Sequence, residues 1–225
     1  MLPSLIRLSD GTALSGCCSL PDGDHGGVHS APPTSGFPEW LRPPQEGFTV
    51  DDLFRLSELP PHTQLIDGSL IPRSRQSSFH SSFNSLLSRE LRRTCPETLR
   101  VRGEMIVVLA RHQALEPDVC VIRAGADRQR GVDRYEAGDV VLVVETVDPD
   151  SKIRDRERKP QLYARAGIPH FWRVEMSGEE DRPVVYVYEL DPTTKVYVVT
   201  GIHHDQLKLS VPFRVDIDLT EIDHL

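Results

Sequence analysis

Residues 116–122 read EPDVCVI and residues 139–147 read DVVLVVETV. The second run is nearly all apolar and β-branched, the composition of a central strand covered on both faces. A carboxylate in such a strand is costly to bury unless something pairs with it, and Glu145 is that carboxylate. Asp118 opens the first run directly after Pro117. Two carboxylates from neighbouring strands can share a hard cation such as Mg²⁺, with the carbonyl of Thr146 as a further ligand and with water and a phosphate completing the shell. Such an ion lowers the pKa of a bound water. A lysine close by would orient that water and offset charge in the transition state. Bland readings stand beside this one. Pro-Asp is common at strand starts, Glu145 could form a structural salt bridge, and Lys159 lies in KIRDRERK (152–159), which also reads as a solvated charged face.

Downstream, Leu162, Tyr163 and Ala166 keep helical spacing. Gly167 is placed to stop that helix as a left-handed cap, and Pro169 prevents its resumption. Strands are expected at 170–175, 184–190 and 195–200, with a closing pair near 207–218. Upstream, Phe79, Phe83, Leu86, Leu87 and Leu91 place a helix over 77–94, with Arg89, Arg92 and Arg93 where cations suit the helix dipole. Asp67-Gly68 between two apolar runs marks a tight hairpin. Thr49 followed by Asp52 is a capping-box start for a short helix. Strand-like runs also occupy 99–109 and 118–123, and a polar loop is expected over 124–138. The order of elements gives an α/β or α+β domain without internal repeats.

Residues 1–47 are rich in Gly, Pro, Ser and His and are expected to be disordered, with one folded domain over 48–225. The count of 34 acidic against 26 basic residues gives a net charge of −8, which argues against a protein that coats nucleic acid non-specifically. The imbalance is regional. Residues 150–165 carry Lys152, Arg154, Arg156, Arg158, Lys159 and Arg165 against three acids, the local positive charge that phosphates require. Cys17, Cys18, Cys95 and Cys120 form no C-x-x-C pair, so zinc is not expected, and their placement suits a reducing cytoplasm. No apolar run approaches a membrane span, and no G-x-S-x-G elbow supports a serine hydrolase.

EPDVCVI together with DVVLVVETVDPDSKIRDRERKPQLYARAGIPHFWRVE (139–175) resembles the Uma-type family of the PD-(D/E)XK nuclease superfamily. QLIDGSLIPRSRQSSFHSSFNSLLSREL (64–91) is similar to that family's hairpin and first helix, and LKLSVPFRVDIDLTEI (207–222) to its closing strands. The resemblance implies a restriction-endonuclease-like domain: a central mixed sheet flanked by helices, with extra C-terminal antiparallel strands. It implies a Mg²⁺-dependent endonuclease acting on DNA, with Mn²⁺ as a substitute and a homodimer allowed, and with no membrane or organic cofactor. Pro117-Asp118 matches the family's "PD", and Glu145 its following acid. The usual lysine position is Val147, so the resemblance points to Lys159, paired with Asp155 one helical turn earlier. Lys159 is expected at a helix entrance with Pro160 in the first turn, at a polar edge of the domain, with Lys152 on a flexible loop as the reserve. Gln64 stands where the family usually has Glu. His80 falls where it often has His, though a local hydrogen bond at the helix start is the plainer reading. Glu90 could be an accessory acid, or simply a partner of Arg89 or Arg93. Lys152, Arg154, Arg156 and Arg158 would guide the DNA backbone. A fold whose chemistry has decayed into a DNA- or protein-binding module is the alternative.

Overall fold

The structure, a computed structural model, describes Pro38, Trp40 and residues 42–127, 131–177 and 182–225. Most of the segment expected to be disordered lies outside these residues. In chain order the elements are α1 (Val50–Arg55), β1 (Gln64–Ile66), β2 (Ser69–Ile71), α2 (Ser78–Thr94), β3 (Leu99–Gly103), β4 (Ile106–Ala110), β5 (Gln113–Leu115), β6 (Val119–Arg123), β7 (Arg134–Glu136) and β8 (Val140–Thr146). A π-helical turn (Arg154–Arg158) leads into α3 (Lys159–Ala166), followed by β9 (His170–Ser177), β10 (Arg182–Asp191), β11 (Val196–His203), β12 (Gln206–Leu209) and β13 (Val215–Asp218).

β8 lies inside a six-stranded mixed sheet of order β11-β10-β9-β8-β6-β3. It is antiparallel to β6 and parallel to β9. Six of its seven residues are buried, which its apolar composition foretold. Its side chains alternate between two cores. Leu142 and Val144 face a cluster built with Phe83, Leu87 and Leu91 of α2 and with Leu207, Val215 and Ile217 of the β12–β13 pair. Val143 faces a second cluster with Leu162 and Tyr163 of α3 and Ile66, Val107 and Leu115 of the other sheet. That second sheet has the order β2-β1-β5-β4-β7. Phe83 is fully buried, and losing such a side chain costs about 3–5 kcal/mol.

Local signals account for several joints. Asp67 (φ 52°) and Gly68 (φ 72°) both take the left-handed conformation that a two-residue hairpin between β1 and β2 needs. A side chain at Gly68 would also be tight, because a Cβ there would lie 3.0 Å from the Gly47 Cα. Thr49 and Asp52 cap α1 reciprocally. Gly167 ends α3 at φ 83°. Trp40 packs against the cluster of Phe48, Leu53, Leu65 and Leu70, so ordered packing begins ahead of Phe48.

Three expectations are corrected. The run 99–109 is two strands in different sheets, broken at Glu104 (φ 52°) after Gly103. The polar loop 124–138 contains β7, held in the second sheet by parallel pairing to β4 and by buried Tyr135. Pro160 does not open its helix, since helical backbone begins at Lys152. The π turn immediately before it, in which the Lys159 amide bonds the Arg154 carbonyl, accommodates the missing proline donor and its ring. Among the described residues no helix is long and apolar enough to cross a membrane.

Candidate active site

Val119 pairs with Val144, so Asp118, one residue before β6, stands opposite Glu145 near the end of β8. Directly opposed residues on antiparallel strands point to the same face. Glu145 faces α3, where Asp155, Lys159 and Tyr163, each four residues apart, share one side of the helical segment. The Lys159 ammonium donates to Glu145 Oε2 at 2.7 Å and lies 2.9 Å from Asp155 Oδ1. The Tyr163 hydroxyl donates to Glu145 Oε1 at 2.5 Å. Ser151 donates to the other oxygen of Asp155. The lysine expected at a polar edge is thus buried, at 4% exposure, because helix and sheet close over it. Lys152, expected on a flexible loop, is exposed at the first helical position of the same segment.

Asp118 has a different set of neighbours. Its Oδ2 accepts the Thr146 amide at 2.6 Å. Its Oδ1 meets the Arg73 guanidinium and lies 3.0 Å from His80 Nε2. Neither contact has the alignment of a good hydrogen bond, so Oδ1 is buried with charge nearby but no well-aimed donor. His80 is 2% exposed and sits between two carboxylates, with Nδ1 2.7 Å from Asp148. This is no local helix-start bond. A neutral ring can accept from the Arg73 donor, 3.1 Å from Nε2, while Nδ1 lies close to Asp148 without the alignment of a good hydrogen bond. Ser77, the N-cap of α2, donates to Asp148 at 2.8 Å. Thr146 Oγ1 donates to Asn84 at 2.7 Å.

A cavity of about 20 Å³, room for roughly one water, lies among Glu145, Asp148, Asp155, Lys159, His80 and Gln64. Gln64 reaches it from β1 and accepts the Glu116 amide at 3.2 Å. Glu90 is taken by Arg89 and Arg93. Of the four bases expected to guide DNA, Arg156 pairs with Glu175 and Arg158 with Asp67. Lys152 and Arg154 are left without ion pairs among the described residues. Arg73, Asp148, Asn84 and Tyr163 are part of the arrangement and were not singled out by sequence. Only Tyr163 had a signal, one further turn along the Asp155–Lys159 face.

Burial pushes the Glu145 carboxyl above the ordinary range, against the opposing pull of Lys159. Burial also disfavours the Lys159 ammonium, but the Glu145 and Asp155 carboxylates outweigh it and hold its pKa above normal. Lys159 is therefore charged at neutral pH. Burial lowers the His80 pKa despite Asp148, in keeping with a neutral ring. Tyr163 is raised well above the usual phenol value by burial and by Glu145, so it acts as a donor. Asp118 and Glu145 thus bring two carboxylates to facing positions of β6 and β8, and both Glu145 oxygens are held by Lys159 and Tyr163. Among the described residues no three His, Cys, Asp or Glu side chains converge tightly enough to hold a metal by themselves.

The profile of the Uma2 family, described as "Putative restriction endonuclease", matches residues 50–220. A solved structure similar to this chain is that of a putative nuclease belonging to DUF820 from Anabaena variabilis ATCC 29413. It aligns with a TM-score of 0.60 at 15% identity, covering 78% of this chain and 97% of that one. At that identity the likeness establishes the fold. A search of curated proteins returned no match.

Proposed function

Because the chain belongs to the Uma2 family of putative restriction endonucleases, we propose that it is a metal-dependent endonuclease hydrolysing DNA phosphodiester bonds at Asp118, Glu145 and Lys159. The observation that carries the reading is the Lys159 ammonium held 2.7 Å from Glu145, with side-chain exposures of only 5% and 1%. Well-packed apolar residues would often be no less stable there than a buried ion pair, so its presence speaks for chemistry. Asp118, Glu145 and the Thr146 carbonyl are the ligands proposed for Mg²⁺, with Mn²⁺ as a substitute. Once bound, the ion supplies Lewis-acid stabilisation of phosphate charge and an acidified water.

The chain's own groups do the rest. Lys159 carries a fixed positive charge where negative charge builds on the phosphate. Asp155 grips the ammonium from the other side, and Tyr163 fixes the Glu145 carboxylate through its second oxygen. The Thr146 amide holds Asp118 in place. The reading takes DNA as substrate and the cytoplasm as the setting, and it needs no organic cofactor. Its test is cleavage of supercoiled, linear and single-stranded DNA with Mg²⁺ or Mn²⁺, using Glu145→Gln as control. Cleavage by the wild type and its loss in Glu145→Gln is the expected result. A folded wild type that cuts none of these with either ion sinks the reading.

A second reading has its own observation. Arg73 and Lys159 already balance Asp118 and Glu145 one for one, so these two carboxylates each have a cation partner without a metal. A decayed nuclease fold kept as a DNA- or protein-binding module fits that balance. Titration with Mn²⁺ separates the two, since a decayed site binds the ion weakly or not at all.

A further inference from the structure

An open groove of about 620 Å³ runs along the solvent face of α2, with Asp118 at its floor. Its helical wall is Ser81, Asn84, Ser85, Ser88, Arg89 and Arg92. The opposite wall is the turn between β3 and β4 at Gly103 and Glu104. Positions 81, 85, 88 and 92 recur at helical spacing, so small hydroxyls line one face and a guanidinium closes its far end. Arg92 is exposed and has no ion pair among the described residues. Arg89 is held by Glu90 and Glu221. The groove offers hydrogen-bond donors and a free cation, and among the described residues no aliphatic or aromatic side chain lines it.

We propose that this groove is the track for one phosphodiester strand of DNA, and that the strand reaches Asp118 along α2 and not along the basic segment 152–158. The proposal rests on the nuclease reading and names the path of its substrate. Two of the four bases in that segment are consumed by Glu175 and Asp67, so only Lys152 and Arg154 remain there as charge offered to a ligand. Serine hydroxyls and asparagine amides are ordinary donors to phosphate oxygens that carry no base information. From Ser81 to Arg92 the helix rises about 16 Å, close to the axial length of roughly five nucleotides of one duplex strand. Glu104 opposes this attraction; its carboxylate accepts a hydrogen bond from Gln76 at 3.0 Å and is partly offset by the Arg73 guanidinium at 3.5 Å. A strand in the groove passes Glu104 immediately before it reaches Asp118.

The test is binding of a fluorescent duplex and a fluorescent single strand to the full chain, with divalent ions chelated so that no cleavage intervenes. Affinity is followed across a range of salt. Losing the Arg92 contact weakens binding roughly eightfold near 0.1 M salt and lowers the slope of log affinity against log salt by about 0.9, the signature of one phosphate contact. Arg92→Gln should show both changes, and Ser85→Glu and Ser88→Glu should weaken binding at least as much. Glu104→Gln should tighten it, while Lys152→Ala and Arg154→Ala, the unpaired bases of the other path, should change it far less than Arg92→Gln. Circular dichroism confirms that each variant is folded, and the opposite sign expected of Glu104→Gln guards against reading a folding defect as lost binding. Groove variants that bind like the wild type, or weakening confined to Lys152→Ala and Arg154→Ala, overturn the track. If the wild type binds no DNA, the track fails, and cleavage with Mg²⁺ then decides the wider reading. Cleavage indifferent to the groove variants removes the track alone, and no cleavage removes both.

Discussion

The two walls of the candidate site hold charge in different ways. On the α3 wall, Asp155, Lys159 and Tyr163 come from one continuous helical segment and close on Glu145 out of reach of solvent. On the α2 wall, Asp118, His80, Asp148 and Arg73 come from four separate stretches of chain, and Arg73 and Asp148 keep side-chain exposures of 13% and 11%. Helical periodicity alone fixes the relative positions on the first wall. Only the meeting of a loop, a helix start and two strand ends fixes them on the second. The α3 wall is accordingly a locked charge and the α2 wall an adjustable one, next to the groove that a substrate would use.

The largest expected effect is Lys159→Ala. It leaves Glu145 and Asp155 buried without their cation and should cost about 3–5 kcal/mol of stability. Any cleavage activity should fall roughly 10²–10³-fold. Urea denaturation measures the first effect, and an unchanged midpoint would show that the α3 wall is not locked. Tyr163→Phe is next. Removing the donor to a buried carboxylate should cost about 1.5–3 kcal/mol, and a loss within error of zero would mean that Glu145 is oriented by Lys159 alone. On the adjustable wall, Asn84→Ala removes the acceptor of Thr146 Oγ1 and should cost only about 0.5–1.5 kcal/mol, since the groove lets water replace it. A loss as large as that of Lys159→Ala would erase the distinction between the walls.

The smallest effect calibrates both against a charge in water. The Asp52 carboxyl of the α1 cap is held down to about 2 by Arg55 and by the Thr49 backbone and side chain. A carboxyl whose pKa is lowered on folding stabilises above its unfolded value and loses that contribution as pH falls. The cap's share should therefore be present above pH 3.8 and fade toward about 2. Thr49→Ala should cost about 0.5–1 kcal/mol near neutral pH. Thermal melts from pH 5 to pH 2 should bring wild type and variant closer together, and curves that stay parallel would contradict the assignment.

Local order was legible in the sequence wherever one segment carries the whole signal. The apolar run of β8 announced a strand buried on both faces. The phenylalanine and leucine spacing announced α2, and Asp67-Gly68, Gly167 and the Thr49–Asp52 box announced a turn, a stop and a start. Asp155 and Lys159 were legible as neighbours because four residues is one helical turn. Their burial was not, because polarity in KIRDRERK reads as exposure until the packing partner is known. Arg73 joins the site from a loop remote in sequence, and neither Asp148, three residues after Glu145, nor Asn84, one helical turn after His80, carries a motif that marks its partner. The same holds for charge. Six bases in sixteen residues suggested a cationic face, and the fold spent two of them on Asp67 and Glu175, more than fifteen residues away along the chain. Sequence determined which segments become helix or strand, since those preferences are local. The tertiary structure decided which charges are paired, which are buried and which face the groove, since electrostatic partners are set by proximity in space.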